Sequence, residues 1–547
     1  MANMNANEAL PSAPKWSNWS GNIVHEPPTG GEGYYYRPTN LAELKAVLAA
    51  GAAKRVTVRA SGQRHSQPAL VANDNRGAVP PKPTTYLVDM SCYADLGASN
   101  TDVMVLGPGP NQVTVNPGVR EDDLDAFLTT HNLMFDAVTA GGFFSIGGMT
   151  AVDVHGGTVE APIFAEAVSA FTILGADGKE TIIDRQSMDE DGHSLLAFAR
   201  ASLGAFGIVT RITLNVLPRP WANTLRGGTE RFLLTSKAAF VAKFKHLLTG
   251  QSKHTRMESF FTPYAAGFGI NNFLILWWDV VSNPQPQIPN SAPTQKTACE
   301  LSRQDKFGAP LIGIGKFGER VIIASQTTDP YWSPLAGPAV IAAIGLDTIE
   351  RDAKAANENF SDLWLTAASR VIFMSYFVEL PGLNDEGLGK VWDGLDVINN
   401  YVLQDGNFHI AAPAEFRFVK AGDSAMSGTF SENRGAYFVN LDLIAWTEAI
   451  PGSEYPAALL KFFAHVERKW VSMGGLPHNG KMFGFYDPTD VALDSFTSPF
   501  NNNFLAFITK QRIDARQAPV AAFKKYRETR DPGGLFYTQY LRDLLGT

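Results

Sequence analysis

The chain is 547 residues long, 45% hydrophobic and 18% charged; it is too long for one hydrophobic core, so two domains with a large buried interior are expected. A formal charge of −8 and a pI of about 5.7 leave no basic excess to neutralise phosphate backbones or anionic lipid, which argues against a nucleic-acid partner. The two cysteines, Cys92 and Cys299, exclude a disulfide framework and a cysteine-based zinc or iron–sulfur site, and leave one bridge or two free thiols open.

The N-terminal MANMNANEALPSAPKWSNWSG has no basic segment followed by an apolar one, and no uninterrupted apolar run reaches the ~18 residues of a membrane span. A soluble protein without an integral membrane span is expected, cytoplasmic or secreted after signal removal. TNLAELKAVLAAGAA predicts a helix capped by Thr39 or Asn40, followed by the strand RVTVRA. DVMVLGPGP and NQVTVNPG read as two strands, and VREDDLDAFLTTHNL as a helix with acids in its first turn, where the macrodipole favours them. His131 ends that helix and reads as solvated. AVSAFTILGADGKETIIDR predicts a hairpin turning at Asp177-Gly178, and SLLAFARASLGAFGIVTRITLNVLP a helix, a glycine-punctuated loop and a strand.

Near Pro218 the texture changes to longer irregular stretches (SNPQPQIPNSAPTQ) and aromatic clusters (NNFLILWWDVV, DPYWSPLAG), as expected of a second domain inserted into the first. The tail APVAAFKKYRETRDPGGLFYTQYLRDLL reads as helical again. The boundaries this implies are 1–217, 218–500 and a C-terminal segment, 501–547, returning to the first domain. A GxGxxG occurs at Gly313, Gly315 and Gly318, but no strong strand precedes it and a β-like VIIAS follows, so a dinucleotide fold is not expected there. No GxSxG, HExxH or Walker A pattern is present.

Two stretches remain: SGQRHS, after a strand, and GGFFSIGGMTAVDVHGG. A strand ending in small residues exposes successive backbone N–H groups as an anion nest, and Gly147 and Gly148 at a helix start supply a second such surface. Two cradles about eighty residues apart suit an extended cofactor carrying a pyrophosphate. In AAPAEFRFVK, Glu415 and Arg417 alternate with Phe416 and Phe418, so on a strand the charged pair shares one face while the rings enter the core. The commonest fate of such a pair is a surface ion pair worth ~0–1 kcal/mol; the other is a site.

The ordered pieces resemble the flavin domain of the vanillyl-alcohol oxidase family of PCMH-type flavoproteins. They are Ser61, Gly62, Gln63, Arg64, His65 and Ser66; Gly141, Gly142, Ser145, Gly147 and Gly148; His155 and Gly156; and Gly207, Ile208 and Val209 before Thr210. The resemblance implies an α+β, two-domain PCMH-type fold with an inserted antiparallel-sheet cap domain for substrate. It also implies FAD held by these residues, with His65 joined covalently to the 8α-methyl group. A second link through cysteine would fall at Gly141, which has no thiol, so single attachment is expected. His155 is expected to pack near the cofactor rather than to move protons.

LAGPAVIAAIGL, NFSDLWLTAASRVIFMSYFVELPG, AEFR and GAYFVNLDLIAW resemble, in order and spacing, the substrate domain of the covalent-flavin (class II) cholesterol oxidases. That resemblance implies Glu415 as proton acceptor, Arg417 as its partner and Asn440 beside them. The implied reaction oxidises a small hydrophobic secondary alcohol, cholesterol or a related sterol, to the ketone, with dioxygen reduced to hydrogen peroxide; Δ5 to Δ4 isomerisation is left open. The alternatives are a polyol, sugar or aldonolactone oxidase on the same fold, expected if Asp, Asn and Lys line the pocket rather than the LWLT, SYF and ILWW aromatics, or a dehydrogenase using a non-oxygen acceptor. Three departures from the family pattern stand out: Asp153 replaces an asparagine in AVDVHG, Thr538 replaces one in DPGGLFYT, and Glu258 is no more than a candidate for the gating glutamate.

Overall fold

The computed structural model describes residues 16–26, 33–76, 85–137, 139, 142, 144–219, 223–264, 271–282, 371–405, 408, 410, 412–446, 455–492 and 494–546. Gly141, Cys299, the Gly313–Gly318 pattern and the LAGPAVIAAIGL and LWLT segments lie outside them.

The first lobe begins with β1 (Tyr35–Tyr36) and α1 (Leu41–Lys54). Asn40 caps α1 by accepting from the Glu43 N–H (3.0 Å), while the Glu43 carboxylate accepts from the Thr39 N–H (2.8 Å), so both expected capping residues act. Arg55, at φ 56°, ends it. β2 (Val58–Ala60) and β1 flank β3 (Tyr86–Val88) in a parallel sheet. β4 (Met104–Leu106) and β5 (Gln112–Val115) form an antiparallel pair, and α2 (Glu121–Thr130) and α3 (Ile146–Ala151) follow. β6 (Val168–Leu174) and β7 (Glu180–Asp184) form the expected hairpin, and α4 (Leu195–Ala199) leads to β8 (Ile208–Asn215). The second sheet has the order β7-β6-β8-β5-β4. β8 alternates buried and half-buried residues, so Ile212 and Leu214 join Val113, Val115 and Phe171 in a core closed by Leu124 and Leu128 of α2.

The second lobe contains β9 (Asn223–Phe232), α5 (Lys237–Thr249), β10 (Arg256–Phe261), β11 (Phe273–Ser282), β12 (Val371–Leu380), α6 (Asp385–Asp405), β13 (Ala414–Lys420), β14 (Tyr437–Trp446), α7 (Ala457–Ser472) and β15 (Leu476–Pro477). Its sheet is antiparallel in the order β9-β11-β10-β13-β14-β12-β15. Helices cover one face: Phe244 of α5 packs on Phe416 of β13 with ring centroids 5.4 Å apart. The opposite face of β13 carries Glu415 and Arg417 toward the first lobe, where they are 2% and 8% exposed. The surface ion pair that E-x-R most often forms is therefore not what this strand makes, because both of its faces are covered.

The lobes are joined by direct hydrogen bonds. Met257 N–H donates to Gly157 O (2.8 Å) and Lys420 N–H to Ala161 O (3.0 Å). The buried Gln67 side chain donates to Val371 O and accepts from Phe373 N–H, both at 3.0 Å, acting as a short extra strand on β12. Glu166 accepts from the Ser424 N–H (2.9 Å), and Arg200 bridges Glu166 (2.9 Å) and Asp423 (2.7 Å). At the C-terminus, α8 (Asn502–Arg516) lies on second-lobe loops through Arg512, which donates to Met426 O (2.6 Å). α9 (Val520–Arg530) returns to the first lobe, where Phe523 meets Phe206 at 4.8 Å, and α10 (Gln539–Leu545) closes the chain.

Gly207 enters β8 at φ 136°, and a Cβ there would lie 2.2 Å from Leu174 O. Gly207→Ala is therefore expected to destabilise the protein by roughly 2–3 kcal/mol, read as a lowered urea midpoint at unchanged slope.

Candidate active site

A cavity of ≈ 320 Å³ lies where the two lobes meet. First-lobe residues Ser61, Gly62, Gln63, Arg64, His65 and Ser66 line it, together with Ser145, Gly147, Gly148, His155, Gly207, Ile208 and Val209. Gly142 and Gly156 are described but do not line it. Two loops converge here so tightly that a Cβ on Gly62 would sit 2.3 Å from Ser145 Oγ, and one on Gly147 2.6 Å from Pro117 Cβ. A side chain at either position would push the loops apart, so these glycines set the spacing of the two backbones that line the cavity, and the N–H-rich turns so placed fit a cofactor carrying a pyrophosphate such as FAD; Arg64 takes φ 62° within the first turn.

His65 is stacked on Trp19 (4.7 Å, 16°) and meets Phe144 edge-on at 4.6 Å. Burial, reinforced by Lys481 and Arg64, holds its pKa well below the usual value, so the imidazole is neutral. The half-buried His155 is likewise held well below the usual imidazole pKa, by desolvation and then Arg417; it packs edge-on to Phe377 at 5.4 Å.

Glu415, Arg417, Asp442, His478 and Lys481 line the second-lobe side. Adjacent strands create the group, since Glu415 faces Asp442 and Arg417 faces Asn440 across the β13–β14 ladder. Arg417 Nη2 lies 2.5 Å from Glu415 Oε1 and also pairs with Glu258 of β10. Burial pushes Glu415 up to about 8, with Arg417 opposing and Glu258 adding to the shift. Burial and then Glu415 push Asp442 up to about 7. Lys481 is pulled down by burial, against the pull of Asp442 and Glu415. The His478 Nδ1 accepts from the Gly480 N–H (2.9 Å), which leaves the ring proton on Nε2 as a donor.

Of the three residues proposed from sequence for chemistry, Glu415 and Arg417 thus meet in the cavity, whereas Asn440 does not line it and donates to Ser375 Oγ (2.9 Å). Glu258 ion-pairs with Arg417. Thr538 caps α10, accepting from Leu541 N–H at 3.3 Å, and takes no place in the cavity. His131 accepts no new role: its Nδ1 bonds Phe127 O (2.8 Å) on an exposed helix end. Sequence reasoning missed Asp442, His478 and Lys481. Asp442 could have been found from strand alternation, two residues beyond Asn440 on the same face. His478 and Lys481 flank the Asn-Gly turn in LPHNGK, a signal of a tight turn but not of what it faces.

Residues 33–184 match the family model of an FAD binding domain, and residues 390–544 that of D-arabinono-1,4-lactone oxidase. L-gulonolactone oxidase of Mus musculus is 26% identical over 260 residues, covering 44% of this chain and 54% of that protein. L-gulono-1,4-lactone dehydrogenase of Mycobacterium tuberculosis is 28% identical over 206 residues, covering 38% and 41%. The chain thus spans about half the length of the curated relatives it matches, or less. Among solved structures, a solvent-stable cholesterol oxidase superposes with a TM-score of 0.69 at 18% identity over 97% of both chains. Cholesterol oxidase from Brevibacterium sterolicum gives 0.69 at 15% identity over 97% and 96%. At such identities the likeness is one of fold, and the PCMH-type α+β architecture is the one observed. No helix among the described residues is long and apolar enough to cross a membrane.

The glycine-rich wall of the cavity hangs on Glu121, the buried first residue of α2, whose carboxylate takes the Thr139 N–H (2.7 Å) and hydroxyl. Burial raises this carboxyl from 4.5 to about 8. A carboxyl raised in the fold stabilises it fully below its unfolded pKa and loses that contribution as pH climbs through the folded one. Glu121→Gln is accordingly expected to flatten the decline in stability between about pH 4.5 and 8, measured by denaturant titrations across that range.

Proposed function

We propose, from the match of residues 33–184 to an FAD binding domain and the PCMH-type fold, that the chain is an FAD-dependent oxidoreductase of that family which oxidises a CH–OH group of a polyhydroxylated, sugar-derived lactone with dioxygen as acceptor. The observation that carries the reading is the polar second-lobe lining of the cavity: Glu415, Arg417, Asp442, His478 and Lys481, with Phe373 the one aromatic the second lobe adds among the described residues. Tyr376, Phe377 and the Ile275–Trp278 run of ILWW do not line it. A sterol bearing a single hydroxyl would leave the buried Oδ1 of Asp442, which has no hydrogen bond among the described residues, and the Lys481 ammonium without a polar substrate group to meet, whereas several hydroxyls would satisfy them. The sterol expected from sequence therefore gives way to the lactone, in line with the D-arabinono-1,4-lactone oxidase match and the L-gulonolactone relatives.

FAD, when bound, supplies the hydride acceptor and hands the electrons on. Ser61 to Ser66, Ser145 to Gly148 and Gly207 to Val209 would hold it. Glu415, poised by burial against Arg417, takes the hydroxyl proton, and Arg417 keeps the carboxylate oriented while stabilising negative charge on the substrate oxygen. Lys481 and the Nε2–H of His478 donate to further oxygens, and Asp442 accepts from a hydroxyl. His65, neutral and held between Trp19 and Phe144, would anchor the cofactor by a bond from a ring nitrogen to the 8α-methyl carbon, formed with loss of one methyl hydrogen and the imidazole proton, the two electrons passing to dioxygen. Residues 1–217 form the flavin domain, 218–500 the substrate domain, and 501–547 a returning segment.

A panel of an aldonolactone, an open polyol and cholesterol under air, with peroxide assayed, tests the substrate class; turnover of cholesterol alone would sink it, and anaerobic flavin reduction without aerobic peroxide would replace the acceptor. In the same assay kcat/KM should rise with pH up to about 8, where Glu415 ionises, then level off, and Glu415→Gln should lower it by ~10²–10⁴. On acid precipitation, flavin colour should stay with the wild-type pellet and appear in the supernatant for His65→Ala; free FAD from the wild type refutes the bond.

A further inference from the structure

We propose that Asp153 is a positioning residue that sets where Lys481 and His478 stand, by gripping the turn that carries them. Asp153 follows α3 in the first lobe and is 0% exposed. Its Oδ2 accepts the Asn479 N–H (2.7 Å) and its Oδ1 the Gly428 N–H (3.0 Å), so one carboxylate ties together two second-lobe loops. Asn479, in the middle of the turn, is held from its other side: its amide donates to Met426 O (2.7 Å) and accepts from Arg512 Nη2 (3.0 Å). Arg512 spends its donors on Met426 O, Pro477 O and Asn479 and acts on Asp153 only through its charge, while the carboxylate takes the two backbone N–H groups and a hydrogen bond from the Ser427 side chain.

The consequence falls on Lys481. Its ammonium lies 3.9 Å over the Phe373 ring and makes no ion pair among the described residues, so the backbone turn decides its place. Among the described residues, the first lobe also reaches that turn through the Gln67 N–H, which donates to Gly480 O (3.0 Å), and through His155, whose ring lies 6.2 Å from that of His478. The departure from the family's asparagine has a physical reason here: two backbone N–H groups converge on residue 153, and only a carboxylate offers an acceptor oxygen to each. Asparagine would turn its NH₂ against one of them.

The inference rests on the reading of Lys481 as a substrate-facing group, and its test separates the two. In the FAD-loaded protein, kcat/KM is measured for Asp153→Ala, Lys481→Met and the double variant, with whichever CH–OH donor reduces the flavin. Hydrogen–deuterium exchange of residues 426–430 and 476–482 is followed in parallel. Asp153→Ala is expected to lower kcat/KM by at least about tenfold, to speed exchange in both segments, and to add less than about threefold once Lys481 is already methionine. Asp153→Asn, which keeps one acceptor, should fall between, and serves if the alanine variant does not fold. Losses that multiply in the double variant, or unchanged exchange in 476–482, overturn the proposal. If Lys481→Met alone is without effect while Asp153→Ala speeds exchange, the reading of Lys481 has failed and the grip on the turn stands.

Discussion

Too many charges share one dry face for all of them to ionise. Glu258, Glu415 and Asp442 meet Arg417 and Lys481 where β10, β13 and β14 run side by side, and water is excluded by the first lobe. Arg417 stays charged and takes Glu258 and Glu415 as partners; what remains must be settled by protons. Glu415 rises to about 8 and Asp442 to about 7, while Lys481 moves down. A carboxyl that ionises near neutral pH is useful as a base, and here it arises first from burial, with Arg417 opposing the shift and Glu258 adding to it. Moving any strand of this set by one residue would turn these side chains to the helix-covered face and dissolve the balance.

The cavity has no single owner. Its glycine-lined wall and its charged wall come from different lobes, and neither is complete without the hydrogen bonds between them. Gln67, two residues past His65, completes the edge of β12, while Asp153, two residues before His155, grips the turn of Lys481. Cofactor segment and substrate segment are therefore stitched at points adjacent to their functional residues. Glu166, Arg200, Asp423 and Ser424 add a second seam. With so many polar bonds crossing, the lobes are held at a distance set by hydrogen-bond geometry.

What could be read in the sequence was local. Asn40 and Glu43 announce α1, three acids announce α2, and Asp177-Gly178 announces the β6–β7 hairpin, because each signal acts within a few residues of itself. The pairing of Glu415 with Arg417 was legible for the same reason, as was the glycine pattern that points to a flavin. What covers each face of a strand was not. Alternation put Glu415 and Arg417 on one side, yet solvent and a second lobe give the same alternation. Asn440 was drawn in by the family resemblance, and it does stand opposite Arg417 in the ladder, but its side chain turns to Ser375. Asp442 shares the face of Asn440 by alternation alone, but its place opposite Glu415 needed the ladder register, and Lys481 became visible only with the turn after β15 in place; both are products of contacts between residues far apart. The ILWW and SYF runs, expected to line a sterol pocket, owe their composition to the core: Phe273 to Leu276, Trp278, Tyr376 and Phe377 are buried.

One further contact governs how the molecule comes into being. The Val58 N–H donates to Leu535 O (2.8 Å), and the Arg59 guanidinium, fully enclosed, donates to Phe536 O (2.7 Å) as well as to Gly204 O (2.7 Å). The strand leading to the flavin turn is thus closed along its edge by residues made 477 positions later. A nascent chain that has left the ribosome up to residue 217 carries every glycine of the cofactor cradle but lacks the wall that closes it. The first lobe therefore reaches its full set of hydrogen bonds only with the last segment of the chain in place, so its stability is bound to residues on the far side of the inserted lobe.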